Sequence, residues 1–124
     1  MLILGVDPGT AITGYGLVEQ QGQRLVPQTY GVIRTKAGCP LANRLQHIYD
    51  GIGALIEQYR PAVMVVEELF FNKNTRTALA VGQARGVILL AAANHGLKIA
   101  EFTPLQVKMA VVGYGRAEKI QVQE

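Results

Sequence analysis

Hydrophobic residues fall into short runs and helical stripes along the chain, with polar punctuation between them. Residues 2–6 are apolar and are closed by Asp7-Pro8-Gly9, which predicts a strand buried on both faces and then a turn. Residues 13–18 predict a second strand and 29–35 a third, with 20–24 around Gly22 as a hairpin loop. After Pro40, which the first turn of a helix tolerates, Leu41, Leu45, Ile48, Ile52, Leu55, Ile56 and Tyr59 recur at steps of three and four. That is one apolar helix face, ended by Arg60-Pro61. Residues 62–66 predict a fourth strand, closed by Glu67. Residues 75–94 predict a long helix that is small and apolar on most sides, hence deeply packed, and that stops at Asn94-His95-Gly96. Residues 97–102 predict a fifth strand. Thr103-Pro104-Leu105-Gln106 has the spacing of a capped helix start, for a short helix to about Val112, and another helix begins near Arg116.

The order β-β-β-α-β-α-β-α predicts one α/β domain over residues 1–124. Three strands joined by short loops form an antiparallel meander. The fourth returns through a helix, so it lies parallel to the first. The expected five-stranded mixed sheet has the order 3-2-1-4-5 and is flanked by helices. Strands one and four then end side by side where the connectivity switches, and open α/β sheets place their sites there.

Composition excludes several classes. Nearly half of the residues are hydrophobic and 17% are charged, which fits a packed domain and not a disordered chain. Cys39 is the only cysteine, so no intrachain disulfide forms, in keeping with a reducing, cytoplasmic setting. The apolar start lacks a basic segment before it and meets Asp7 early, so it reads as a strand and not as a signal peptide. The uncharged stretch 86–97 is too short to cross a bilayer, which takes about 20 residues. Residues 1–71 carry five Lys/Arg against six Asp/Glu, and residues 72–124 carry seven against three. A basic second half suits a polyanionic partner.

The candidate chemistry lies in two hydrophobic runs that each end in an acid. Asp7 and Glu67 are distant in sequence, yet the topology brings them to one place. A strand-end carboxylate in a packed domain is costly unless it is solvated, paired or bound to metal. Two such acids at one spot repel each other, and a divalent cation such as Mg²⁺ or Mn²⁺ relieves that repulsion. The plainer alternative is that Asp7 caps its own turn on the Gly9 amide, and that Glu67 or Glu68 sits on the rim. Alternation sends Glu67 and Glu68 to opposite faces, and the pattern alone does not choose between them. His47 and His95 show no ligand spacing with each other or with Cys39, and no Walker or Ser-His-Asp pattern stands out.

Seven blocks occur in order along the whole chain: Gly5-Val6-Asp7-Pro8-Gly9-Thr10, Thr13-Gly14-Tyr15-Gly16, Ile33-Arg34-Thr35-Lys36, Val66-Glu67-Glu68-Leu69-Phe70, Gly82-Gln83-Ala84-Arg85-Gly86, Gln106-Val107-Lys108 and Ala117-Glu118-Lys119. Together they resemble the RuvC family of bacterial Holliday junction resolvases. The resemblance implies a ribonuclease H-like fold and a homodimer that nicks four-way DNA junctions symmetrically. It implies work in recombination and repair beside a branch-migration helicase complex, RuvA and RuvB. It matches Asp7 and Glu67 to the first two metal carboxylates, which chooses Glu67 over Glu68. Hydrolysis by metal-activated water is implied, with two Mg²⁺ ions and with Mn²⁺ able to substitute. Phe70 matches an aromatic that stacks on a base near the crossover, and Lys108 and Lys119 match basic residues near the DNA backbone. The family's remaining acidic ligands lie in a helix beyond residue 124. Residues 1–124 are therefore expected to bind metal weakly and to cleave little by themselves.

Three further readings concern the surroundings of these residues. Arg76, beside Lys73 at the start of the long helix, is a solvated helix end or a phosphate contact next to Phe70. Phe71 reads as structural. Ala78, Gly82 and Gly86 recur every four residues; the glycines are expected against the sheet, with other faces of that helix at a dimer contact. Asp7-Pro8-Gly9-Thr10 also fits the phosphate-binding turn of actin-like and sugar-kinase-like domains, whose second phosphate loop and adenosine loop are not recognisable in this sequence. A third possibility is a module that binds junction DNA without cutting it.

Overall fold

The computed structural model describes residues 1–66 and 75–100, with the side chains of the second helix described from residue 78 onward. Five strands and two helices follow one another as β1 (Leu2–Asp7), β2 (Ile12–Gln21), β3 (Arg24–Arg34), α1 (Leu41–Tyr59), β4 (Val63–Val66), α2 (Thr75–Asn94) and β5 (Lys98–Ala100). The sheet order is β3-β2-β1-β4-β5, as the sequence predicts. β2 lies antiparallel to β1 and β3, whereas β4 lies parallel to β1 and β5. The expected helices at 103–112 and from 116 lie outside the described residues, as does the end of the expected fifth strand.

The hairpin is tighter than the predicted loop. β2 runs on to Gln21 and β3 starts at Arg24, leaving Gly22 and Gln23 to turn the chain, with Gly22 at φ +63°. A positive φ carries no side-chain clash in glycine. Pro27 sits within β3, opposite Val18, where the pairing slips by one residue. Proline has no amide to give to a ladder, so it is tolerated on an edge strand beside a bulge. α1 ends as its sequence predicts: Arg60 takes a left-handed conformation and its amide closes on the Ile56 carbonyl at 2.9 Å.

Strand alternation divides the core. Leu4, Val6, Leu17, Met64 and Val66 pack against Ile48, Ile52 and Ile56 of α1 and against Ala84, Ile88, Ala91 and Ala92 of α2. Ile3 and Val65 form a smaller cluster with Leu25, Val63 and Ala100. Side chains like Ile52, fully enclosed, each contribute about 1.5–3 kcal/mol by leaving water.

α2 departs from the deep packing expected of it. One face is buried, but Leu79 and Leu90 are exposed, at 65% and 54%. Gly86 is exposed too, and a Cβ added there would meet nothing within 4 Å, so this glycine does not serve packing on the sheet. A helix apolar all round needs cover on two sides, and the described residues supply one.

Tyr15 of β2 lies directly opposite Gly31 of β3, and a Cβ at Gly31 would overlap the tyrosine ring. Burial, and with it the nearby Tyr59, raises the Tyr15 phenol above its ordinary value of 10.0. The folded chain thus holds that proton more tightly than the unfolded chain. The resulting stability is fully present below about pH 10 and is lost as pH rises through the raised value. Thermal melts in a pH series should show Tyr15→Phe losing less stability than the parent chain on the alkaline side. Parallel losses would contradict this role for Tyr15.

Candidate active site

The site begins where β1 runs out. Val6 is the last residue of β1 paired with β4, opposite Val66, and Asp7 follows it as the last residue of β1. Both Val6 and Val66 are buried, whereas Asp7 is half-buried. The carboxyl ends of the two central parallel strands therefore lie side by side, with an acid leaving the first of them. Glu67, the next residue after β4, lies outside the described residues. So do Phe70, Lys108 and Lys119, and Arg76 belongs to the first turn of α2, where side chains are not described. Among the described residues, no three His, Cys, Asp or Glu side chains come together as a metal-binding group.

The turn after Asp7 is held from three directions. Within it, the fully buried Thr13 hydroxyl donates to the Gly9 carbonyl at 2.6 Å, and the Gly9 amide donates back to the Thr13 oxygen at 3.4 Å. Gly9 is required by space, because a Cβ there would run into the backbone carbonyl oxygen of Ile12. From α2, the Ala80 carbonyl accepts the Thr10 hydroxyl at 3.1 Å. From the end of β3, the Thr35 amide donates to the Ala11 carbonyl at 3.0 Å, and the Thr35 hydroxyl donates to the Thr10 carbonyl. Arg44 of α1 donates through Nε to the same Thr35 hydroxyl at 2.8 Å. β2 through Thr13, α2 through Ala80 and the end of β3 through Thr35, itself held by Arg44 of α1, thus converge on the residues after Asp7. Such bonds fix the aim of a functional carboxylate better than a solvent-exposed loop does.

Hydrophobic patterning does not single out Thr10, Thr13, Thr35 or Arg44 as positioning residues. Thr10, Thr13 and Thr35 stand in the blocks that carry the family resemblance, which is the signal available for them. His47 and Cys39, which lack metal-ligand spacing, line one cavity with Arg34, Lys36 and Arg44. His95 serves structure at the far end of α2: its Nδ1 lies 2.8 Å from the Ala91 carbonyl, and its Nε2 lies 3.4 Å from a Glu57 carboxylate oxygen of α1. No helix among the described residues is long and apolar enough to cross a membrane.

Comparisons with known proteins agree with this geometry. A family model described as crossover junction endodeoxyribonuclease RuvC matches residues 3–124. The protein of that name from Moorella thermoacetica is 64% identical over 123 residues, covering 99% of this chain and 74% of its own length. The one from Desulforamulus reducens is 60% identical over 123 residues, covering 99% of this chain and 76% of its own. Among solved structures, Thermus thermophilus RuvC in complex with a Holliday junction substrate superposes with a TM-score of 0.77 at 31% identity. That match covers 89% of this chain and 69% of the other. The yeast mitochondrial Holliday junction resolvase Ydc2, at 14% identity and a TM-score of 0.56, shares the fold.

Proposed function

Because the chain belongs to the RuvC family of crossover junction endodeoxyribonucleases, we propose that it resolves four-way DNA junctions by metal-dependent phosphodiester hydrolysis, with Asp7 and Glu67 as shared metal ligands. The observation that carries this assignment is the register of the central strands. Ile3 pairs with Val63 and Gly5 with Val65. β4 thus runs parallel to β1 and ends at Val66, opposite Val6, one residue before Asp7 leaves β1. The family resemblance, which matches Glu67 to the second metal carboxylate, supplies the partner.

Two carboxylates at one strand edge suit a hard divalent cation, Mg²⁺ or Mn²⁺, and two ions fit the acid-rich site that the family resemblance implies. Bound there, the metal supplies an activated water and neutralises charge developing on the phosphate. Asp7 holds its ligand position because Gly9, Thr10 and Thr13 hold the turn. Thr35 and Arg44 fix that turn to β3 and α1. Phe70 stacks on a base at the crossover, and Arg76, Lys108 and Lys119 hold the phosphate backbone. Residues 1–124 belong to one nuclease domain, whose remaining acidic ligands the family resemblance places in a helix beyond residue 124, and the single exposed cysteine accords with work in a reducing cytoplasm beside RuvA and RuvB. In a chain of the relatives' full length with Mg²⁺, a four-way junction should be nicked in preference to a linear duplex of the same sequence. Equal cutting of both would contradict the reading.

The enzyme acts as a homodimer through α2. Leu79, Gly86 and Leu90 lie at spacings of seven and four, on one exposed face of that helix. A second copy would remove these leucines from water. With burial of one leucine contributing about 1.5–3 kcal/mol, Leu90→Asp should weaken dimerisation at least tenfold. Sedimentation equilibrium is the check, and an unchanged dimer would place the contact elsewhere.

A further inference from the structure

Between the end of β3 and the start of α1 lies a cavity of about 290 Å³ whose lining carries Arg34, Lys36, Asn43, Arg44 and His47, and no acidic side chain. Arg34, Lys36, Asn43 and His47 are exposed, whereas Arg44 is half-buried. Arg44 gives its Nε to Thr35 and keeps four further N–H groups on its guanidinium. The cavity thus combines one pre-aimed guanidinium with two freely accessible cations and an amide. That is the chemistry of an anion site, and a guanidinium matches the two oxygens of a phosphate.

Its position gives the anion an identity. β3 runs in the same direction as β1, so Arg34 and Thr35 emerge at the same edge of the sheet as Asp7. β3 lies two strands from β1, roughly 10 Å at ordinary strand spacing. That is about one or two phosphate-to-phosphate steps along one DNA strand, whose rise along the helix axis alone is about 3.4 Å per nucleotide. The Thr35 hydroxyl, bound by Arg44, is also the group that grips the Thr10 carbonyl in the turn after Asp7. We infer that this cavity is a second phosphate-binding subsite, which takes a backbone phosphodiester of the junction about one or two nucleotides from the one at Asp7. The inference rests on the reading of the chain as a junction nuclease, and it assigns to Arg34, Lys36 and Arg44 a role additional to that of Lys108 and Lys119. Through Thr35, occupation of the subsite bears on the turn that aims Asp7.

The test measures junction affinity of the full chain across a range of salt concentrations. In the double variant Arg34→Gln with Lys36→Gln, both altered side chains are exposed, so the fold is retained, which melting checks. Each phosphate that is no longer neutralised lowers the slope of log affinity against log salt by about 0.9, so loss of this one contact should lower the slope by about that amount and affinity at moderate salt about tenfold. Arg44→Lys keeps the charge and removes the Nε bond to Thr35. It should keep the slope, while its Thr10 and Ala11 amide resonances shift. If the unaltered chain binds junctions and the double variant matches it in slope and affinity, the subsite is refuted and the nuclease reading stands. If the unaltered chain shows no salt-dependent junction binding, the nuclease reading falls and takes this subsite with it. Inorganic phosphate that shifts the Lys36 and Arg44 resonances, while the double variant leaves junction affinity unchanged, would mark a free-phosphate site and overturn the assignment.

Discussion

Asp7→Asn in a chain of the relatives' full length should lose junction cleavage by about a thousandfold or more, close to 4 kcal/mol of transition-state stabilisation, while junction affinity stays within about threefold. The substitution keeps the size and shape of the side chain and removes its charge. Asp7 is half-buried at the end of β1, so an amide of the same volume fits without repacking Val6 or Pro8. What disappears is an anionic ligand whose oxygen shares the charge of a divalent cation. Binding depends instead on phosphate contacts from cations elsewhere, and it survives. Single-turnover cleavage and gel-shift titration on the same junction separate the two effects. Cleavage at the parent rate would remove Asp7 from the chemistry. Equal loss of binding and cleavage would make it a structural residue.

Gly9→Ala should have the second largest effect, through geometry alone. The added Cβ would overlap the Ile12 carbonyl oxygen, which is backbone and cannot swing aside as a flexible side chain would. The turn must open. Opening it strains the Thr13 bond to the Gly9 carbonyl and the Thr10 bond to Ala80. A cost of about 1–3 kcal/mol in stability follows, as for other overpacked sites. Asp7 moves with the turn, and a displacement of about 1 Å at a reacting centre costs on the order of a hundredfold in rate. Calorimetric melting and cleavage kinetics are both needed. A variant with the parent's stability and rate would show that the turn does not aim Asp7.

Much of this could be read from the chain. The helix at 75–94 has the predicted bounds, because small apolar residues and an Asn-His-Gly stop leave little choice. The strand order followed from short loops and one helical return. What hydrophobic pattern could not reveal was which surface covers which face. Ala78, Gly82 and Gly86 read the same whether they meet a sheet or a second chain, and Gly86 faces outward. The predicted loop at 20–24 was too long and the third strand began too late, because polar residues at 20–24 read as a turn and an edge strand with a bulge at Pro27 has no clean alternation. In the clamp, the Thr10 and Thr35 side chains bond to backbone 70 and 25 residues away and Arg44 bonds to the Thr35 hydroxyl, and such bonds leave no periodic trace. The choice of Glu67 over Glu68 came from family resemblance alone, and both residues lie outside the described ones.

Mn²⁺ binding, followed by electron paramagnetic resonance in the parent chain, Asp7→Asn, Glu67→Gln and the double variant, tests the shared metal site most directly. If both acids hold the same ion, each single substitution should weaken binding at least about tenfold, and the double variant should lose much less than the product of the two losses. Parent-like affinity in Glu67→Gln, or losses that simply multiply, would mean that Asp7 and Glu67 do not share a metal.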